Sequence, residues 1–237
     1  MQLNFNFKLS IETQQNYKIG NCFELLQELK DDSIDLIVTD PPYGINYHTG
    51  YRNDKNHLFT KVIANDDNLD FLPELIQQLY RVLKMDSAMY MFCNQDNIDI
   101  FKINIEKKFN IKNIIVWVKN NWTAGDLEAQ LGKQYEFIIL ANKGRKKFCN
   151  DYRFTDVWNF DRVSGNDQIH QNQKPVNLLK QCIEISSYAG DIILDPFMGS
   201  GSTLETCKIL NRNFIGFEID PQWETKYKNL LSQKIIG

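Results

Sequence analysis

Asp40-Pro41-Pro42-Tyr43 follows directly on the apolar run Asp35-Leu36-Ile37-Val38-Thr39. The run reads as a strand, so its carboxyl end delivers a carboxylate, two prolines and an aromatic ring to the place where ligands bind in open α/β sheets. Asp40 and the Pro41 carbonyl are acceptors, and acceptors suit an exocyclic amine conjugated to an aromatic ring. Such a nitrogen is a poor nucleophile until its N–H groups are held and its lone pair localised. It gains positive charge as it attacks an electrophilic carbon, so a fixed anion stabilises the transition state more than the ground state. Tyr43 is suited to stack on a base taken out of its helix. Alone, D-P-P-Y is more simply a Pro-stiffened turn after a strand; a second motif changes that balance.

That motif is Ile192-Ile193-Leu194-Asp195-Pro196-Phe197-Met198-Gly199-Ser200-Gly201-Ser202-Thr203, a strand, a loop of small residues and a helix beginning near Ser202. Glycines there let a ligand approach the backbone. The third glycine of a dinucleotide fingerprint is replaced by Leu204, and no G-K-[ST] follows, so neither NAD nor ATP is favoured. The next strand ends in Glu218, 17 residues after Gly201. An acid at such a position can hold the ribose hydroxyls of an adenosine-containing cofactor. By itself Glu218 is better read as a solvated strand-end acid; linked to the glycine loop, ribose binding becomes the better reading.

Short runs rich in Val, Ile and Phe alternate with segments of helical period, the rhythm of strands and crossover helices in a largely parallel sheet. Seven strands are predicted, near residues 17–20, 34–39, 88–93, 113–118, 135–141, 191–194 and 213–217. Leu72, Leu75, Ile76, Leu79 and Leu83 keep the spacing of a helix face that covers a sheet, with Pro73 in its first turn. A second helix begins at Pro175 with Leu178, Leu179, Cys182, Ile183 and Ile185 on its apolar side and ends before Gly190. Three polar stretches, 44–68, 120–134 and 143–173, are long for connections and read as functional loops.

The 237 residues suit one α/β domain, and 43% hydrophobic with 24% charged residues is an ordinary globular composition. No apolar run approaches a membrane span and no signal peptide opens the chain, so a cytoplasmic, membrane-free protein is expected. Five scattered cysteines without a C-x-x-C pair fit reduced core thiols, and with three histidines no metal is expected. A net charge of −3 lends no general support to a nucleic-acid partner, so any face for one must be locally basic.

Together these residues resemble the beta group of DNA amino methyltransferases, in which D-P-P-Y precedes the D-P-F-x-G-S-G loop along the chain. Gly20-Asn21-Cys22-Phe23-Glu24-Leu25-Leu26, Arg81-Val82-Leu83-Lys84, Asp156-Val157-Trp158 and His170-Gln171-Asn172-Gln173-Lys174-Pro175 extend the resemblance over nearly the whole chain. It implies the class I methyltransferase fold: α/β, Rossmann-like, seven strands, mostly parallel with one antiparallel, helices on both faces. It implies S-adenosyl-L-methionine as cofactor and one domain over 1–237, with a short target-recognition segment, 143–169, inserted. Catalysis falls by this resemblance to Asp40, Pro41, Pro42 and Tyr43. The cofactor falls to Asn21 and Cys22 at its adenine, Glu218 at the ribose, and Asp195, Phe197, Gly199, Ser200, Gly201, Ser202 and Lys174, the last pairing with the methionine carboxylate. The group more often has Asp where Asn21 stands, and an Asn oxygen accepts more weakly than a carboxylate.

Attack through carbon 5 of cytosine needs a cysteine nucleophile, typically after proline; the residues before the five cysteines are Asn, Phe, Phe, Gln and Thr. Within the group D-P-P-Y goes mainly with N6 of adenine, so the expected reaction is methylation of adenine N6 in DNA, duplex or single-stranded. N4 of cytosine and N6 of adenine in RNA are the alternatives, and a catalytically dead binding subunit ranks low because both motifs are intact. A protein glutamine methyltransferase would carry N-P-P-Y after the cofactor loop. Lys143, Arg145, Lys146, Lys147, Arg153 and Arg162, with Arg52 and Lys55 in the first long loop, are the local basic supply expected to meet phosphates and base edges. Members of the group often dimerise, and a homodimer is open to this chain, as are restriction–modification, phage and orphan settings.

Overall fold

In the computed structural model, which describes residues 13–44, 68–123, 128–164 and 173–233, eight strands form one sheet. They are β1 (Gln15–Ile19), β2 (Ile34–Thr39), β3 (Leu83–Cys93), β4 (Asn110–Thr123), β5 (Lys133–Lys143), β6 (Val157–Asn159), β7 (Ile192–Asp195) and β8 (Asn213–Glu218). Their spatial order is β1-β8-β7-β2-β3-β5-β4-β6. Every pairing is parallel except the two made by β5, which runs against β3 and β4. The expected mixed sheet with one antiparallel strand is therefore present.

Two sequence expectations change. An eighth strand, β6, adds to the predicted seven; its three residues are too few to show alternation, and it exists because Val116 to Val118 of β4 offer a free edge. The stretch 120–134, expected as a loop, belongs at its two ends to strands: β4 runs on to Thr123 and β5 begins at Lys133, and the two residues are paired. Its polar residues disguise strands whose ends project beyond the core.

Helices α1 (Cys22–Gln27), α2 (Leu72–Val82) and α3 (Ile98–Glu106) contact one another on one side of the sheet. On the other lie α4 (Val176–Ser186) and α5 (Ser202–Ile209), with α6 (Glu224–Ser232) beside α5, where Lys208 Nζ meets the carbonyl oxygen of Leu231 at 3.2 Å. Leu72, Leu75, Ile76 and Leu79 are fully buried on α2, as their spacing predicts, whereas Leu83, expected on the same helix face, is equally buried but opens β3. Each such side chain is worth about 1.5–3 kcal/mol on burial, which holds α2 to the sheet although Phe71 gives it no side-chain cap. α2 leads into β3 without a loop, so β3 begins five residues before the predicted start. Among the described residues no helix is long and apolar enough to cross a membrane.

Register decides what meets at the carboxyl edge. Leu36 pairs with Ile193 and Ile37 with Leu194, so Asp40 and Asp195 end adjacent strands. Asp195 pairs with Gly216, and Ile19 with Glu218, bringing the ends of β1 and β8 to the same edge. Because β5 is antiparallel, its beginning and not its end lies here: Cys93 pairs with Phe137, and Glu136 is level with Trp117.

Candidate active site

Asp40 is the centre of a half-buried polar cluster. Its Oδ1 accepts the Tyr43 hydroxyl and its Oδ2 accepts Lys174 Nζ at 2.7 Å. Lys174 Nζ also lies 3.3 Å from the Tyr43 hydroxyl and 3.2 Å from Glu136 Oε2. Glu136 Oε1 is held by Lys119 Nζ at 2.9 Å. Two acids and two cations thus alternate, which offsets most of the cost of taking each charge out of water.

The groups set one another's protonation. Burial raises the Asp40 carboxyl above the usual carboxylate range, Lys174 pulls it down and Glu136 pushes it up, with a net rise. Burial alone would depress the Lys174 ammonium, but Asp40 and Glu136 outweigh it and keep it charged. For Glu136 burial acts upward, yet Lys174 and Lys119 prevail and hold it below its ordinary value. Burial and the neighbouring Asp40 lift the Tyr43 phenol far above its ordinary range, so it stays a donor.

Tyr43 is only 8% exposed. Its ring stands edge-on to Phe101 with centroids 6.4 Å apart, and Asn97 Nδ2 donates to its carbonyl at 2.6 Å. Lys174 lies 5.6 Å from the centroid of that ring and 5.1 Å from that of Phe92. The sequence marks Lys174 as the start of a helix and suggests a methionine carboxylate for it; the structure places it 7% exposed and bonded to Asp40. Sequence reasoning does not single out Glu136, within the predicted strand 135–141, or Lys119, just after the strand 113–118, because nothing local distinguishes them from other polar residues at strand ends.

The second cluster lies at the ends of β7 and β8. Asp195 Oδ1 accepts from Phe197 N at 3.2 Å, and Oδ2 accepts the Thr203 hydroxyl at 2.6 Å. Both oxygens thus shape the loop that carries them, and burial pushes this carboxyl up to about 7. Gly199 (φ 48°) and Gly201 (φ 83°) adopt left-handed backbone. A Cβ on Gly201 would stand 3.1 Å from the Tyr227 ring, and the Tyr227 hydroxyl donates to the Gly199 carbonyl. Glu218 Oε2 accepts from Gly199 N at 2.8 Å and Oε1 from Asp220 N at 2.9 Å, with burial raising its carboxyl. The Ser200 and Ser202 hydroxyls are 3.2 Å apart and buried. Asn21 caps α1, accepting from Phe23 N at 3.0 Å, and the adjacent Cys22 thiol is buried and raised to about 12. Phe197 faces Phe71 with ring centroids 6.5 Å apart, and Phe71 in turn meets Phe23.

Among the described residues, the basic run from Lys143 to Lys147 does not lie at this edge. Lys143 is buried, bonding Asp32, the carbonyls of Tyr80 and Leu83 and the Tyr80 ring, so it braces α2 against β5. Lys143 lies seven residues along β5 from Glu136, roughly 23 Å at the usual strand rise. Arg145, Lys146 and Lys147 follow it, at the opposite end of the sheet from Asp40. Arg153 is exposed between β5 and β6. Arg162 returns to the catalytic edge, its backbone N donating to Asn120 Oδ1 at 3.3 Å. Arg52, Lys55 and His170 lie outside the described residues.

A mostly parallel sheet whose central strand ends carry an acid and a glycine-turned loop side by side defines the class I methyltransferases, which take S-adenosylmethionine. A family profile for N6/N4 DNA methylases matches residues 34–229. The chain is 32% identical to the type II methyltransferase M.HpaI of Haemophilus parainfluenzae, over 92% of this chain and 74% of that one. It is 31% identical to the DNA adenine methyltransferase YhdJ of Escherichia coli (strain K12), over 86% and 78% respectively. The crystal structure of the M1.HpyAVI–SAM complex matches with TM-score 0.70 and 28% identity, covering 94% of this chain and 100% of that one. The PvuII cytosine-N4-specific DNA methyltransferase shares the fold, with TM-score 0.76 at 16% identity over 95% and 89%. The chain belongs to the N6/N4 DNA methylase family and is an S-adenosylmethionine-dependent DNA methyltransferase.

Proposed function

We propose that this enzyme methylates N6 of adenine in DNA. The observation that carries the reading is the half-buried Asp40 carboxylate at the end of β2, beside the Asp195 to Ser202 loop at the end of β7. The D-P-P-Y form of the motif and the 31% identity to a DNA adenine methyltransferase favour adenine over cytosine.

In this reading Asp40 and the Pro41 carbonyl accept the N–H groups of the target amine, and Pro42 stiffens the turn that aims them. The Tyr43 hydroxyl, bonded to Asp40, fixes the carboxylate plane. The left-handed turns at Gly199 and Gly201 shape a loop of small residues that suits the methionine part of S-adenosylmethionine, with Ser200 and Ser202 along it. Glu218, poised over Gly199 N, fits the ribose, and Asn21, Cys22 and Phe197 flank the adenine. Asp195 holds the cradle in shape through Phe197 and Thr203. When bound, the cofactor supplies an electrophilic methyl group on a sulfonium. The chain works as one domain, and of the segment 143–169 the later part meets the target: residues 157–164 run along the catalytic edge, whereas Lys143 to Lys147 lie at the far end of β5.

Incubation with labelled S-adenosylmethionine and mixed-sequence duplex DNA, followed by digestion and mass analysis of the nucleosides, tests the proposal. N6-methyldeoxyadenosine is the expected product. N4-methyldeoxycytidine would overturn the adenine assignment while leaving amine methylation in place.

A further inference from the structure

The acceptor that the reaction needs already carries a cation. Asp40 Oδ1 holds the Tyr43 hydroxyl and Oδ2 holds Lys174 at 2.7 Å, so each oxygen keeps one lone pair, but an ammonium on Oδ2 competes with a docking amine and opposes the positive charge that develops on the attacking nitrogen. Tyr43 has little freedom: it lies three residues from Asp40 on the same turn, buried, ring edge against Phe101, its carbonyl tied to Asn97. Lys174 ends a flexible four-carbon stem and has a second carboxylate within reach. Glu136 Oε2 is buried 3.2 Å away, within ion-pair range but without an aligned hydrogen bond, while Lys119 anchors the other oxygen of the same carboxylate. The Tyr43 and Phe92 rings flank the ammonium and present negative faces to it as it moves.

We propose that Glu136 is a positioning residue that takes the Lys174 ammonium from Asp40 as the target amine arrives, freeing Asp40 Oδ2 to accept the amine's N–H. The inference rests on the reading of Asp40 as the amine acceptor. The ammonium moves intact and no proton changes hands. Because Lys174 stays between two anions, the shift exchanges one ion pair for another and exposes no uncompensated charge. Lys119 keeps Glu136 in place throughout.

The test uses the full chain, with kcat, KM for DNA, cofactor Kd by calorimetry and the pH dependence of kcat measured for Glu136→Gln, Glu136→Asp and Asp40→Asn. Charged or titratable neighbours of Asp40 are Lys174 ahead of α4, Glu136 on β5, Tyr43, Asp195 on β7 and Cys93 on β3; Glu136 faces Lys174 and Lys119. Glu136→Gln leaves Lys174 with Asp40 alone, so kcat should fall about tenfold or more while cofactor Kd is kept. Its acidic limb should move to lower pH, since the anion that raises the Asp40 carboxyl is gone. Glu136→Asp keeps the charge and should recover part of the rate with the acidic limb in its wild-type place. It also serves as the readout if Glu136→Gln does not fold: a shifted limb in Glu136→Asp would overturn the proposal. So would wild-type kcat in Glu136→Gln, or a loss of kcat with an unmoved limb, the mark of a merely structural role. Wild-type turnover in Asp40→Asn would overturn the Asp40 reading itself, an outcome distinct from a failure confined to Glu136.

Discussion

At the scale of single residues, charge placement dominates. Asp40→Ala removes the fixed anion on which the proposed chemistry depends, so turnover should fall by about 10²-fold or more while calorimetry finds the cofactor affinity retained. Asp195 allows a stability prediction. Its carboxyl is raised in the folded protein from 3.8 to about 7, so the folded state binds this proton more tightly than the unfolded chain. The resulting stability is fully present below the unfolded pKa and is lost as pH rises through about 7. Asp195→Asn should therefore flatten the fall in Tm between about pH 4 and about pH 7. Asp40, Asp195 and Glu218 were legible because each ends an apolar run beside an unusual turn. Glu136 was not, because its importance lies wholly in what β5 runs beside.

Elements follow from period and packing. The helix face of α2 is readable from spacing alone, and Leu79, fully buried, can be tested directly. Leu79→Ala should cost about 2–5 kcal/mol in urea unfolding, through lost burial and the cavity left behind. The loop after β7 depends instead on backbone conformation. Gly199→Val forces a β-branched residue into left-handed backbone at φ 48°, so it should weaken S-adenosylmethionine binding more than it lowers Tm. Lys143 shows where reading by composition fails. It opens a basic run that looks solvated, yet its ammonium satisfies the Tyr80 and Leu83 carbonyls in the junction between α2 and β3. Likewise β4 and β5 extend through residues whose polarity suggested a loop, since strand ends beyond the core need backbone pairing and not apolar side chains.

For the molecule as a whole, sheet topology decides which charges share a face. Lys146 and Lys147 lie beyond the far end of β5, more than a Debye length from Asp40 at ordinary ionic strength. Lys146→Ala combined with Lys147→Ala should leave both DNA affinity and the slope of log K against log salt unchanged. A shallower slope in a binding titration over several salt concentrations would place that patch in the interface after all. The adjacency of β2 and β7, whose paired residues Leu36 and Ile193 are 157 apart in the chain, turns two separate motifs into one site.

The amino-acid sequence by itself determined the strand and helix periods, the two strand-end motifs with their order along the chain, and through these the kind of reaction. These are local properties: apolar alternation, proline and glycine at turns, and a carboxylate where a strand stops. The tertiary structure alone decided that Lys174 faces Asp40, that Glu136 and Lys119 complete the charge pattern, and that the basic run after β5 points away from it. Those outcomes depend on one antiparallel strand, which reverses which end of β5 meets the catalytic edge, and no window of sequence carries the direction in which a neighbouring strand will run.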